Sequence, residues 1–263
     1  MKYSPYSVSK LGCHSHCPKQ FKLKYIDKIK VPFTMNPALY KGNYIHSILE
    51  NNYNYEIEFK TNDIFTLERK ETAKEIIKKF ESSYLGKLYK SKAQDKNIIS
   101  LHEEKFGIKV QDGKVVLCGY WDKECWIRGA LDFQYSEGGI VHNIDWKSGK
   151  CHKDEDDFGI TQSMAYSIFL MLKYPKIDTF ISKFVFVEHG TEKEIVYTRD
   201  KFKDYVKYFY NLTKTVENDK FYPEKTSALC DYCDFQKFGH CSAVKDLEEI
   251  SKSVMKEKVS LDF

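Results

Sequence analysis

Between Ile98 and Trp146 the chain carries four short stretches of strand character, and this run limits the folds open to it more than any other feature. Ile98–Val110, Lys114–Cys118, Cys125–Tyr135 and Ile140–Trp146 are rich in β-branched and aromatic residues, which suit a pleated, half-buried surface. Asp112-Gly113 and Glu137-Gly138-Gly139 supply turn residues between them, so an antiparallel meander is predicted. Helical spacing precedes it. Ser7–Tyr25 carries Leu11, Phe21, Leu23 and Tyr25, with Pro18 as an interruption. Gly42–Phe59 carries Ile45, Ile48, Leu49 and Tyr53, and Leu67–Tyr89 is lysine-rich on its outer face. After the meander, an acidic loop at Asp154–Asp157 leads into an apolar helix, Phe158–Tyr174, stopped by Pro175. Strands at Thr179–Val187 and Glu194–Thr198 and a helix at Asp200–Asn218 complete the pattern. The order predicts an α/β core, a mixed central sheet flanked by helices.

The functional reading starts on the two middle strands. A Gly-Gly turn brings Asp132, in Gly129-Ala130-Leu131-Asp132, near Asp145, in Asp145-Trp146-Lys147-Ser148-Gly149. Asp145 and Lys147 are two apart and share one strand face, while Trp146 points the other way into packing. Two carboxylates and an ammonium held together are costly unless they act together. Carboxylates bind hard cations such as Mg²⁺, and a bound cation activates water and stabilises charge on a phosphate. On the following helix Gln162 and Tyr166 are four apart and share a face. An earlier helix offers His46 in Gly42-Asn43-Tyr44-Ile45-His46.

In this order of elements the chain resembles the RecB-like branch of the PD-(D/E)xK nuclease superfamily, over roughly residues 3 to 245. The resemblance implies a restriction-endonuclease-like core and a metal-dependent DNA exonuclease. It implies that His46, Asp132 and Asp145 hold Mg²⁺ or Mn²⁺, with the backbone carbonyl of Trp146 as an extra ligand. Lys147 then positions the attacking water, and Gln162 and Tyr166 orient the substrate strand or the lysine. Leu131 stands where the branch often has proline. The substrate implied is DNA, single-stranded or with free ends, in recombination, repair or replication. A catalytically silent nucleic-acid-binding protein on the same scaffold and a structure-selective endonuclease are the rival readings.

Cysteine use adds a second constraint. Of eight cysteines, Cys13 and Cys17 lie early and Cys230, Cys233 and Cys241 late. Four thiolates suffice for one tetrahedral zinc or one cubane cluster. Cys13 competes with Cys17, and His14, His16 and His240 are nearby alternatives as zinc ligands. The stretch from Tyr6 to Phe21, with its Cys17-Pro18 dipeptide, resembles the start of iron–sulfur nucleases such as exonuclease V, the AddB nuclease domain and the CRISPR-associated adaptation nucleases. That resemblance implies a 4Fe–4S cluster on Cys17, Cys230, Cys233 and Cys241, joining the termini. Such a cluster would close a loop of over two hundred residues, so its first role would be stability. Zinc at the same cysteines stays the alternative. Cys118, Cys125 and Cys151 read as unliganded.

Residues 1–245 therefore read as one nuclease domain and 246–263 as a charged tail. Its end, Lys258-Val259-Ser260-Leu261-Asp262-Phe263, resembles sliding-clamp-binding peptides of phage and bacterial replication proteins through Leu261 and Phe263; a phage or mobile-element origin would fit so compact a chain. A net charge of +4, from 42 Lys+Arg against 38 Asp+Glu, requires any DNA-binding groove to be local. Arg69, Lys70, Lys74, Lys78, Lys79, Lys87, Lys90 and Lys92 are candidates for such a face, half of them expected to be plain solvated helix surface. No run of about 18 apolar residues exists, and Met1–Pro5 lacks the apolar core of a signal peptide. A cytoplasmic, reducing location without membrane contact is expected, in which the thiols stay free of disulfides.

Overall fold

The computed structural model describes residues 2–32, 37–55, 64–149 and 157–241. Cys151, the acidic run 154–156 and the tail with Leu261 and Phe263 lie outside the described residues. The elements are helices α1 (Val8–His16), α2 (Pro18–Phe21), α3 (Pro37–Glu50), α4 (Ile64–Ser82) and α5 (Tyr84–Gln94), then strands β1 (Ile99–Gln111), β2 (Lys114–Cys118), β3 (Ile127–Glu137) and β4 (Ile140–Lys147). Helix α6 (Asp157–Lys173), strands β5 (Thr179–Phe186) and β6 (Thr191–Thr198), and helices α7 (Phe202–Asn218) and α8 (Asp234–Lys237) follow. The chain divides into two compact units, Met1–Val8 with Met35–Leu212, and Ser9–Thr34 with Thr213–Phe263.

The larger unit is built on a six-stranded sheet of order β2-β1-β3-β4-β5-β6. Among the described strands the β4–β5 pairing is the parallel one, and α6 is the crossover between them, as a parallel pair requires. The other pairings are antiparallel. Asp112 and Gly113 (φ 50° and 70°), and Gly138 and Gly139 (φ 58° and 77°), turn the two hairpins in the left-handed region. One apolar cluster joins Tyr44, Ile45, Ile48 and Leu49 of α3 and Ile77 and Phe80 of α4 to Phe133, Ile144 and Trp146 of the sheet. Trp146 is boxed by Phe80, Tyr89 and Phe133 at 6.1, 5.6 and 6.2 Å. On the other face Phe169 of α6 stacks on Phe106 of β1 at 4.6 Å.

Several element ends differ from expectation for local reasons. The helix expected over Gly42–Phe59 starts at Pro37 and ends at Glu50, because Asn52 and Tyr53 adopt left-handed backbone (φ 54° and 63°). The long helix expected over Leu67–Tyr89 is two helices, because the Ser83 hydroxyl accepts from Gly86 N and caps α5. Strand β6 starts at Thr191 rather than Glu194 and pairs with the whole of β5.

The smaller unit consists of short pieces. The helix expected over Ser7–Tyr25 breaks at Cys17, whose sulfur accepts from Gln20 N while Pro18 takes the first position of α2. A π-helical turn, Lys22–Ile26, follows. Early and late segments meet where His14 Nε2 stands 2.9 Å from Asp219 Oδ2 and Phe21 stacks on Tyr222 at 6.3 Å. Burial works against ionising Asp219, but the amides of Tyr222 and Phe221 and the His14 ring outweigh it and hold that carboxyl below its usual range. Among the described residues, no helix is long and apolar enough to cross a membrane.

Candidate active site and cysteine cavity

The ladder between β3 and β4 runs as far as Phe133↔Ile144, and the next position holds Asp132 and Asp145. There the Trp146 amide donates to Asp132 Oδ2 at 2.8 Å, so the carboxylate takes the place of a ladder acceptor. Both acidic side chains are buried. Asp145 Oδ1 accepts from Gln162 Nε2 at 2.7 Å, and Gln162 Oε1 accepts from Lys147 Nζ at 2.9 Å. Gln162 Nε2 also donates to the Tyr166 hydroxyl at 2.7 Å. Lys147 Nζ stands 2.6 Å from the buried Asp145 Oδ2, an ion pair that holds the ammonium over the carboxylate. The structure thus draws Asp145, Lys147, Gln162 and Tyr166 into one network, with Asp132 beside Asp145 across the two strands.

Helix α3 delivers His46 to the same place, its Nδ1 3.4 Å from Asp132 Oδ2 and 3.7 Å from Glu50 Oε1. One ligand atom from each of His46, Glu50 and Asp132 lies within 4.8 Å of the other two. Two motif glycines lie at close approaches. A Cβ at Gly42 would meet Ser148 Oγ at 2.8 Å, and one at Gly129 would meet the Phe106 ring at 2.8 Å. At Gly42 a rotation of the Ser148 hydroxyl would relieve the contact, whereas a larger residue at Gly129 would force the Phe106 ring out of its stack on Phe169.

Two acidic residues went unnoticed in the sequence. Glu50 follows His46 by four on one helix face, a spacing that was legible. Glu103 sits on β1 opposite Asp132, between the pairs His102↔Phe133 and Glu104↔Leu131, with left-handed backbone at φ 47°. No spacing rule points to it, because only the strand register brings it here. Of the proposed basic face, Lys74, Lys90 and Lys92 are in ion pairs with Glu71, Glu81 and Glu137.

The electrostatics show an excess of negative charge. Burial, then the Asp145 charge, pushes the Asp132 carboxyl well above the usual range. Burial and the Glu103 carboxyl raise Glu50 to about 8. Burial lowers His46, which favours the neutral imidazole that ligates metals. Burial, with the Asp145 and Asp132 charges, keeps Tyr166 a phenol. Oxygen and imidazole donors crowded around one ammonium, with ligand atoms of His46, Glu50 and Asp132 within 4.8 Å of one another, fit a hard divalent cation.

In the smaller unit, Cys17, Cys230, Cys233 and Cys241 line one cavity of ≈ 240 Å³, together with His16. N–H groups donate to three of the sulfurs: Gln20 N to Cys17 at 3.5 Å, Gln20 Nε2 to Cys233 at 3.6 Å and Ser227 N to Cys230 at 3.4 Å. N–H···S donors of this kind also surround sulfurs that ligate metals and clusters. Cys13 is outside the lining, and burial pushes its thiol up to about 11. His14 is turned to Asp219 instead. The four sulfurs are not drawn together as closely as the ligand atoms of His46, Glu50 and Asp132.

Residues 5–238 match the family model of the PD-(D/E)XK nuclease superfamily, so the chain belongs to that superfamily, whose members use divalent metals. A search of curated proteins finds no match. Among solved structures, one from Eubacterium rectale described as a "putative exonuclease" shares the fold at TM-score 0.50, with 15% identity over 90% of this chain and 88% of that one. Another, described as SSO0001, covers 86% of this chain and 95% of its own at 16% identity, with a TM-score of 0.36. The six-stranded mixed sheet flanked by helices is the restriction-endonuclease-like fold of the superfamily.

Proposed function

We propose that the protein is a Mg²⁺- or Mn²⁺-dependent deoxyribonuclease of the RecB-like branch, an exonuclease hydrolysing phosphodiester bonds at DNA ends and favouring single strands. The observation that carries this reading is the convergence of Asp132, Asp145 and Lys147 beside His46. His46, Asp132, Asp145 and the Trp146 carbonyl would hold the cation, with Glu50 within reach of the same place. When bound, the cation supplies an activated water and offsets charge on the phosphate. Lys147 orients the attacking water from a position fixed by Asp145 and Gln162. Tyr166 holds Gln162 and, as a phenol, takes no proton itself.

The deciding experiment digests end-labelled single-stranded and duplex DNA with Mg²⁺ or Mn²⁺, using the parent, Lys147→Ala and Asp132→Ala. Loss of mononucleotide release in both variants is expected. Full activity in both refutes the site, and internal cuts without end release favour the endonuclease reading.

We infer also that Cys17, Cys230, Cys233 and Cys241 hold a 4Fe–4S cluster, supported by their shared cavity and its N–H···S donors. Protein purified without oxygen should be brown, with broad visible absorption and about four irons per chain. Colourless protein with one zinc per chain assigns the site to zinc.

A further inference from the structure

Trp121 is 78% exposed, although the loop that carries it, between β2 and β3, is tightly tied. Asp122 N donates to Gly119 O at 3.0 Å, Cys125 N to Asp122 O at 3.1 Å and Trp126 N to Ile108 O at 2.7 Å. The indole is therefore presented by a rigid turn, and its exposure is built in. Tyr120 meets it edge-on at 4.8 Å. The Arg128 guanidinium lies 5.0 Å from the Tyr120 ring and 5.4 Å from the Trp121 ring, and Lys105 Nζ lies 6.0 Å from Tyr120. The acidic residues of the loop, Asp122 and Glu124, are each 3.3 Å from Lys109, so the shelf itself is cationic.

Its place in the sheet relates it to the acidic site. Glu104 and Phe106 of β1 reach Lys173 and Phe169 of α6. Lys105, between them, points to the opposite sheet face. That is the face on which Glu103 meets Glu50 of α3. Arg128 and Asp132 are four residues apart on β3, about 13 Å. An open indole backed by cations, one short step from buried carboxylates, matches the two needs of a single nucleic-acid strand: a surface for a base and countercharge for its phosphates.

We propose that Trp121 and Tyr120, backed by Arg128 and Lys105, form a shelf on which a base of single-stranded DNA stacks while the adjoining strand reaches the acidic site. The inference deepens the nuclease reading and rests on it for its substrate. A duplex keeps its bases stacked on one another and offers no free base face inside the helix, so the shelf selects single strands.

The test uses the full-length protein with Mg²⁺ and a phosphorothioate oligothymidylate, which resists cutting. Trp126 and Trp146 are each 2% exposed, so quenching of intrinsic fluorescence on titration reports Trp121. Quenching is expected in the parent, and Kd, read for every variant by anisotropy of a dye-labelled oligothymidylate, should be about tenfold weaker in Trp121→Ala and within about threefold of the parent in Trp121→Phe. Duplex affinity should be unchanged by either substitution. Equal single-strand affinity in parent and Trp121→Ala, or an equal loss on duplex, overturns the shelf. Cleavage of the unmodified oligonucleotide is scored separately. Trp121-dependent binding without cleavage upholds the shelf and defeats the nuclease reading, and cleavage with Trp121-independent affinity does the reverse.

Discussion

The acidic site and the cysteine cavity each collect ligating side chains from distant stretches of chain, but they are supported in opposite ways. The acidic site stands on long strands and two long helices, and the residue between Asp145 and Lys147 is anchored in the apolar cluster. Its charges are held together by packing that does not depend on them. The cysteine cavity is walled by two four-residue helices and a short 3₁₀ turn, Ala228–Tyr232. Pieces of that length are not stable alone, and Leu23 and Phe235 are the buried apolar residues in its lining. The comparison teaches that the sheet prepares its site at a cost in stability, whereas a group held by the proposed cysteines would add stability to the cavity.

Breaking the cavity should therefore give the largest structural effect. Cys233→Ser is expected to lower the melting temperature by about 10 °C and to open the segment after Thr213 to proteolysis. An unchanged melting curve would show that the short elements stand without their ligand. The converse holds at the acidic site. Asp132→Asn keeps an acceptor for the Trp146 amide while removing one of two neighbouring buried charges. Cleavage should fall at least about 100-fold. The metal-free protein should melt about 2–4 °C higher, the trade expected where function holds like charges together. Lower stability in this variant would mean that Asp132 is a structural residue. A smaller effect is expected of Glu50→Gln: metal affinity, read by titration calorimetry, should weaken about tenfold, and unchanged affinity removes Glu50 from the site.

The difference between the regions also explains what could be read in advance. Strand spacing was enough to place Asp145 beside Lys147 and Trp146 opposite them, because alternation is a property of the backbone. Gln162 and Tyr166 were readable for the same reason on a helix. Glu103 was not, since its position depends on a register with β3 and a left-handed residue that no local pattern announces. The helix ends failed where single side chains decided them, the Ser83 hydroxyl in one case and the Cys17 sulfur in the other. In the smaller unit, with little periodicity to read, cysteine spacing carried nearly all the information.

The smallest effect sharpens the comparison most directly, because it asks whether the acidic site is strained without its cation. Asp132 and Glu50 have raised folded-state values, Glu50 reaching about 8. Between the ordinary carboxylate range and those values the folded chain binds more protons than the unfolded one, so metal-free stability drains away as pH rises through that window. His46 is lowered, and its contribution has the other sign: stability is gained as pH rises toward about 6.5, the ordinary histidine value, and is complete above it. From pH 6.5 to 8 Glu50 still gives up its proton while the His46 contribution is complete, and the melting temperature of the chelated protein should fall by about 2–4 °C. A saturating divalent cation holds the carboxylates ionised and should flatten that slope. A chelated protein that melts at the same temperature across this range would mean that the crowded carboxyls relax apart in solution, and that the sheet prepares less of the site than its packing implies.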